Sequence, residues 1–429
     1  QQTLLSTFRP QLPNGLPATS INSVALALLN ARLPNDQFLI PTPQADGHYS
    51  GSAISSYRED QFNTNVDYHI SEKGWLAVKF FFSNAPQFFA LPDGGANVPG
   101  FGADRKQNNR LISIQEIHIL GPRTVNEARI GYSFIRQDSF GRNPVKDSDL
   151  GIQRANANAY PGLGLIRIGG AGAVAIGNAG TTVDVQVNNS ATTLVDILSI
   201  TRGQHAIRTG AEVIYYRTNL TTNNNRRGQI TFLTFNNFLL GSVSNSTYGD
   251  GINTRVLRAT DYSSFLQDDW KFSRKLTFNL GLRYELDLPP YETRGALVTF
   301  DPALYKPRME VDSSGNPVGP PIGGFVQAGN VIPKFDLPDV PNVGKRVLTS
   351  VDPNNFAPRV GFAYSPLESG RLVVRGGYGI FYSRSSTLYI GVTINAPPMY
   401  SVVRRSPTGV IPLADPFFPL PSQDPSVQH

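Results

Sequence analysis

FLQDDWKFSRKLTFNLGLRYE, Phe265 to Glu285, is the stretch on which the fold turns. In its second half Leu276, Phe278, Leu280, Leu282 and Tyr284 alternate without a break with Thr277, Asn279, Gly281, Arg283 and Glu285. A period of two is a strand with one apolar face. Tyr262 to Phe272 reads as its partner, with Tyr262, Leu266, Trp270 and Phe272 sharing a face with Ser264 and Asp268. Ser273 to Lys275 between them is polar and short enough only for a tight turn. The arms are about ten residues or more, roughly twice the strand length usual in soluble sheets. A strand that crosses a bilayer at a tilt needs about nine to eleven residues.

The same pattern recurs on both sides of this hairpin. Gln61 to Ile70 and Trp75 to Ser83 alternate across the turn Ser71 to Gly74, and Arg110 to Leu120 and Val125 to Arg136 flank Gly121 and Pro122. Thr192 to Thr201 and Ala206 to Thr218 meet at Arg202 to His205, and Phe356 to Tyr364 and Leu372 to Tyr382 turn at Ser365 to Gly370. Five hairpins, ten strands, are therefore expected between residues 58 and 390. Residues 1–57 read as a loop-like, extracellular segment with one short helix, Asn22 to Arg32, capped by Asn22 and stopped by Pro34. Residues 391–429 read as a Pro-rich loop or a truncated continuation, without a secure strand.

Between the hairpins lie 84–109, 137–190, 219–258 and 289–355, with one short strand expected at Gln229 to Phe235. Tight turns thus alternate with long loops. Soluble domains seldom carry long loops at every second connection, whereas outer-membrane barrels put short turns on the periplasmic side and long loops outside. The expected fold is all-β: an antiparallel up-and-down transmembrane β-barrel, present in part as about ten to twelve long strands.

Composition agrees with this class. Among 429 residues there are 25 Phe, 17 Tyr, 40 Gly and no Cys, and charged residues are 16%, which argues against disorder and a disulfide framework. No run of eighteen or more apolar residues is present, so no transmembrane helix is expected, and the mean hydropathy of -0.20 is compatible with barrel strands. Gln1 to Pro10 lacks the apolar core of a signal peptide. The net charge of +6 is spread singly along strands and loops, so no nucleic-acid partner is expected.

Arg129, Arg208, Arg283, Arg359 and Arg375 all lie opposite the apolar row of their strands. An Arg facing lipid at the midplane costs about 2–4 kcal/mol, so in a membrane these rows face the lumen. Tyr68, Trp75, Trp270 and Tyr284, near strand ends, are the expected interfacial girdle. The alternative is a secreted or surface β-rich binding or adhesion protein whose apolar rows pack inward.

The opening stretch, with REDQFNTNVDYHIS (58–71), NNFAPRVGFAYSP (354–366) and VVRGGYGIFY (373–382), resembles the barrel segments of TonB-dependent outer-membrane receptors of Gram-negative bacteria, in particular the Oar-like branch. The resemblance implies a barrel of about twenty-two strands filled by an N-terminal plug. It also implies import of a scarce small-molecule, oligosaccharide or peptide ligand, driven through the TonB complex. Ten strands are about half of such a barrel. Neither a plug nor a TonB-contact segment is read here, and no terminal strand ends on an aromatic residue, so a barrel-region fragment in the outer membrane is expected.

No enzyme is expected. Gly170, Gly172 and Ala175 satisfy G-x-G-x-x-A with Asp196 downstream, but IGNAGTTVDVQVNN follows where a dinucleotide site needs a helix. Adjacent Asp268 and Asp269 point to opposite faces of a strand and cannot form a facing acid and base pair. His48, His69, His118, His205 and His429 lack metalloprotease spacing. No catalytic, cofactor or metal residue is assigned, no cofactor is expected, and the substrate-contacting residues are not read from the sequence.

Overall fold

The computed structural model describes residues 20–42, 51–154, 156–169, 174–305, 324–337, 340–369, 371–384, 399–405 and 411–417, with residues 44, 45, 49 and 313. After helix α1 (Ser23–Asn30) and a short strand β1 (Ser56–Tyr57) come the hairpins β2 (Asp60–Ser71) with β3 (Gly74–Phe89), and β4 (Ala103–Gly121) with β5 (Thr124–Gly141). The next connection carries β6 (Leu165–Ile168) and β7 (Val174–Ile176) and leads to β8 (Val185–Arg202) with β9 (His205–Thr221). Then β10 (Gln229–Phe232), α2 (Phe235–Leu239) and β11 (Asn245–Gly251) precede β12 (Thr254–Trp270) with β13 (Leu276–Asp287). Short strands β14 (Tyr291–Glu292), β15 (Val298–Phe300), β16 (Phe325–Ala328) and β17 (Asn342–Val343) precede the last hairpin, β18 (Asn355–Tyr364) with β19 (Val374–Gly379). The final described strand is β20 (Tyr400–Arg405).

The ten long strands form one antiparallel wall in chain order, with β2 and β19 at its edges. All five expected hairpins are present, the last with a shorter second arm, since β19 covers Val374–Gly379 rather than Leu372 to Tyr382. Several strands run on beyond their expected ends on the long-loop side: β3 reaches Phe89, β4 begins at Ala103, β8 at Val185 and β12 at Thr254. The ladder continues there without the alternation that marks a strand in sequence. In the extensions of β4 and β8 the two faces are similarly buried and have no reason to alternate, whereas β12 buries Arg255, Leu257 and Ala259 on one face without alternating in residue type. The loop expected over 84–109 therefore shrinks to the residues between Phe89 and Ala103.

Register fixes the faces, since directly paired residues of antiparallel strands share one. Leu266 pairs with Leu282, and Trp270 with Phe278. Leu282 lies opposite Pro358, and Leu280 opposite Val360. This apolar row stays open: Leu266 is 56% exposed, Leu282 48% and Val360 54%. A soluble sandwich would bury such a row. The face is left for lipid. On the other face Arg129 pairs with Val195 and Gln115, and Arg283 with Phe265. The five arginines named from the sequence lie on this polar face. Trp75 is a correction: it pairs with His69 and Ile117 on the polar face, so it is no part of a lipid-side girdle. Trp270, which shares the face of Leu266, is.

The largest buried core lies outside the wall. Helix α1 forms where expected, with Asn22 Oδ1 accepting from the amides of Val24 and Ala25 at 2.9 and 3.4 Å. Its Leu28 and Leu29 pack with Ile166, Ile230, Phe232 and Phe238 from two long loops and with Ile411 and Leu413 from the far end of the chain. A second sheet, ordered β20, β11, β10, β6, β7, backs this core. The long loops thus fold together into a cap. Two expectations change: residues 137–190 hold the strands β6 and β7, and Tyr400–Arg405 is a strand pairing with Ser246 to Gly251 of β11. Loop 289–355, expected to be irregular, carries the small sheet β15, β16, β17.

Candidate functional site

The polar face of β9, β12 and β13 carries a charged cluster near its long-loop end. Glu212 lies opposite Ser263, which lies opposite Glu285. Arg283, one pair further down β13, sends Nε to Glu285 at 2.6 Å and Nη2 to Ser263 Oγ at 2.7 Å and to Glu212 at 3.4 Å. Asp261 and Asp287 pair directly above them. Arg384, beyond β19, folds back to bond Asp261, and its guanidinium stands 4.6 Å from the centre of the Tyr216 ring. These groups, with Tyr382, line a cavity of about 160 Å³. Four carboxylates meet two guanidiniums there, a negative lining that still supplies donors.

A second hollow of about 430 Å³ lies lower on the same wall, lined by Gln267, Asn279, Gly281, Gly361, Gly377 and Gly379, with Arg359 and Phe381 at its side. Arg359 stands 4.5 Å over the Phe381 ring. A Cβ at Gly281 would meet no atom closer than 3.7 Å, and one at Gly361 none closer than 3.5 Å. Glycine is therefore not forced there by crowding. Its consequence is an open floor bordered by the Asn279 amide and the Arg359 guanidinium.

The cap is held by buried charge. Arg154, with no side-chain exposure, donates to Asp147 at 2.7 Å, to Asn156 at 2.6 Å and to the Tyr160 carbonyl at 2.7 Å. Arg227 pairs with Asp184 at 2.7 Å. Tyr400 donates to the carbonyls of Asn224 at 2.8 Å and Asn223 at 3.1 Å, tying β20 to the loop after β9. Burial raises the Tyr400 phenol and pushes that of Tyr248 up to about 12, so both remain protonated across the physiological range. Gly177, at φ +92°, brings its backbone against the Gly164 carbonyl, where a Cβ would be 1.9 Å away.

The residues weighed for chemistry in the sequence are scattered. Asp268 lies on the apolar face, hydrogen-bonded to His205 at 2.6 Å, while Asp269 on the polar face accepts from Asn279 at 2.6 Å. His69 packs edge-on to Trp75, and His118 lies 3.3 Å from Glu116. His48, His429, Gly170 and Gly172 fall outside the described residues. Ala175 lies in β7, antiparallel to β6, so a strand stands where the dinucleotide motif requires a helix. The cluster around Arg283 was half visible. Alternation put Arg283 and Glu285 on the polar face, but meeting Glu212 depends on the pairing of distant strands, and nothing local signals Arg384.

The model of the outer membrane beta barrel domain family matches residues 2–428. No curated protein matches the chain. Among solved structures it is similar to the outer membrane transporter YddB from Escherichia coli, at 13% identity and TM-score 0.47, covering 85% of this chain and 36% of that one. It is similar to the copper transporter OprC at 9% identity and TM-score 0.41, covering 76% and 36%. FpvA of P. aeruginosa, solved with heterologous pyoverdines, gives 8% identity and TM-score 0.39, covering 73% and 34%. The chain spans about a third of the length of these structures.

Proposed function

The chain belongs to the outer membrane beta barrel domain family and lies in the outer membrane, and on that footing we propose that it is part of a TonB-dependent receptor that captures a scarce solute outside the cell and passes it to the periplasm. Residues 58–390 are the barrel portion in this reading. The flanks, 1–57 and 391–429, belong with the long loops on the extracellular side. The short turns face the periplasm. The observation that carries the reading is the division of labour between faces: an open apolar row toward lipid, a charged cluster and glycine-floored hollow on the other side, and a folded cap at one end.

In this reading solute meets the cap first and then the polar wall. There Arg283 with Glu212 and Glu285, and Arg384 with Asp261, exchange their hydrogen bonds for bonds to the solute, which keeps its transit free of unpaired polar groups. In this reading the chain supplies barrel wall and cap, and the solute passes unaltered. The test is uptake of labelled solutes from a panel of iron chelates, oligosaccharides and peptides by cells with and without TonB. Binding that survives loss of TonB while uptake disappears supports the reading. Uptake indifferent to TonB overturns it.

A further inference from the structure

Several cations at the cap end are held by carboxylates, whereas those of the short turns are not. At the cap end Arg154, Arg227, Arg142 and Arg294 are each paired, with Asp147, Asp184, Asp104 and Glu292. At the other end Lys73, Arg123, Arg202, Arg274 and Arg371 give each of the five short turns or its edge a cation, and Lys271 and Lys275 flank Arg274. All seven are exposed, and among the described residues none forms an ion pair. Only Glu72 and Glu368 answer them within the turns. The acidic groups next above them on the apolar face are already taken: Glu116 by His118 at 3.3 Å, Asp196 by Asn126 at 3.2 Å, and Asp268 by His205 at 2.6 Å.

Aromatic side chains fix the height of this collar. Trp270 packs against Phe272 and Phe278, with ring centres 5.0 and 6.0 Å apart, and stacks on His205 at 5.4 Å, one residue from the Lys271 turn. Tyr364 on the adjoining hairpin and Tyr68 at the far edge of the wall, 43% and 62% exposed, likewise stand beside their short turns. Such residues sit at the boundary between hydrocarbon and headgroups in membrane barrels. Cations just beyond them stand at the depth of lipid phosphate. We propose that the short turns form a cationic collar that binds the phosphates of anionic phospholipids in the leaflet from which they emerge, selecting them over zwitterionic lipids.

The collar acts by charge and position, since exposed cations near an anionic surface attract it within a Debye length. The test places the full native protein in nanodiscs of phosphatidylcholine and phosphatidylglycerol at fixed ratio and measures the composition of its boundary lipid by spin-label exchange. The wild type is expected to enrich phosphatidylglycerol about fivefold over the bulk at low salt, with the enrichment falling in high salt. K73Q/R123Q/R202Q/R274Q returns it to near the bulk ratio, while R58Q/K334Q/K345Q, neutralised outside the short turns, leaves it unchanged. R202Q and R274Q singly carry the test should the fourfold variant fail to insert, each lowering the enrichment. No enrichment in the wild type, or equal losses in the two multiple variants, overturns the proposal, the first pointing to an acidic protein partner instead.

Discussion

Arg154 commits its whole guanidinium to Asp147, Asn156 and the carbonyls of Tyr160 and Gly162. Removing one partner of a buried pair leaves the other charge uncompensated, a loss of about 3–5 kcal/mol. Arg154→Ala is therefore expected to open the cap to protease while the wall keeps its heat-modifiable gel mobility. Glu59, outside the membrane-spanning strands, behaves differently. Hydrogen bonds from Gln61, Tyr57 and Ser83 hold its carboxyl down at about 2. A depressed folded value contributes stability that is present above the free glutamate value of 4.5 and lost as pH falls through about 2. The tie from Glu59 to Ser83 on β3, 2.7 Å long, should persist under mild acid and release as pH falls through about 2. Carbon-13 titration of the glutamate carboxyls reads this directly. A Glu59 midpoint near 4.5 would show that the three donors do not hold the anion.

Strands are the scale at which the sequence spoke most clearly. Leu276 to Glu285 alternates because its two faces meet different media, and wherever that holds the hairpin was read correctly. Where β4 and β8 climb toward the cap, the difference between faces fades and their first residues read as loop. The cap strands divide: β10 forms over Gln229–Phe232, within the strand expected at Gln229 to Phe235, whereas β6, 4 residues long, and β7, only 3, are too short for periodicity to register. The sheet is closed by pairings between distant connections, β6 with β10 and β11 with β20, which no local pattern announces. The charged cluster has the same limit, since Arg283 is legible and its meeting with Glu212 is a matter of register. An element-scale prediction follows from the open apolar row: Leu280→Arg places a charge on the lipid face at a cost of about 2–4 kcal/mol, lowering the temperature at which the folded gel band disappears. Asn279→Arg, one residue away on the polar face, should move it far less.

For the molecule as a whole, the absence of cysteine in this sequence makes sidedness directly measurable. A cysteine in place of exposed Leu240 in the cap should react with an impermeant maleimide on intact cells, whereas one in place of Lys73 should react only after the outer membrane is breached. The reverse pattern would invert the proposed orientation. Tyr400 adds a dimension of time. The cap's sheet and core join α1, the middle loops and residues 399–405 and 411–417, so β20 docks only once the chain beyond β19 is available. Contacts so distant in sequence close slowly. The cap is thus a completion check: a nascent chain halted after β19 would present a wall in the membrane and an unsealed, protease-sensitive exterior, and Tyr400→Phe, weakening the seal by about 1–3 kcal/mol, should prolong that vulnerable interval in pulse-chase digestion without changing insertion of the wall.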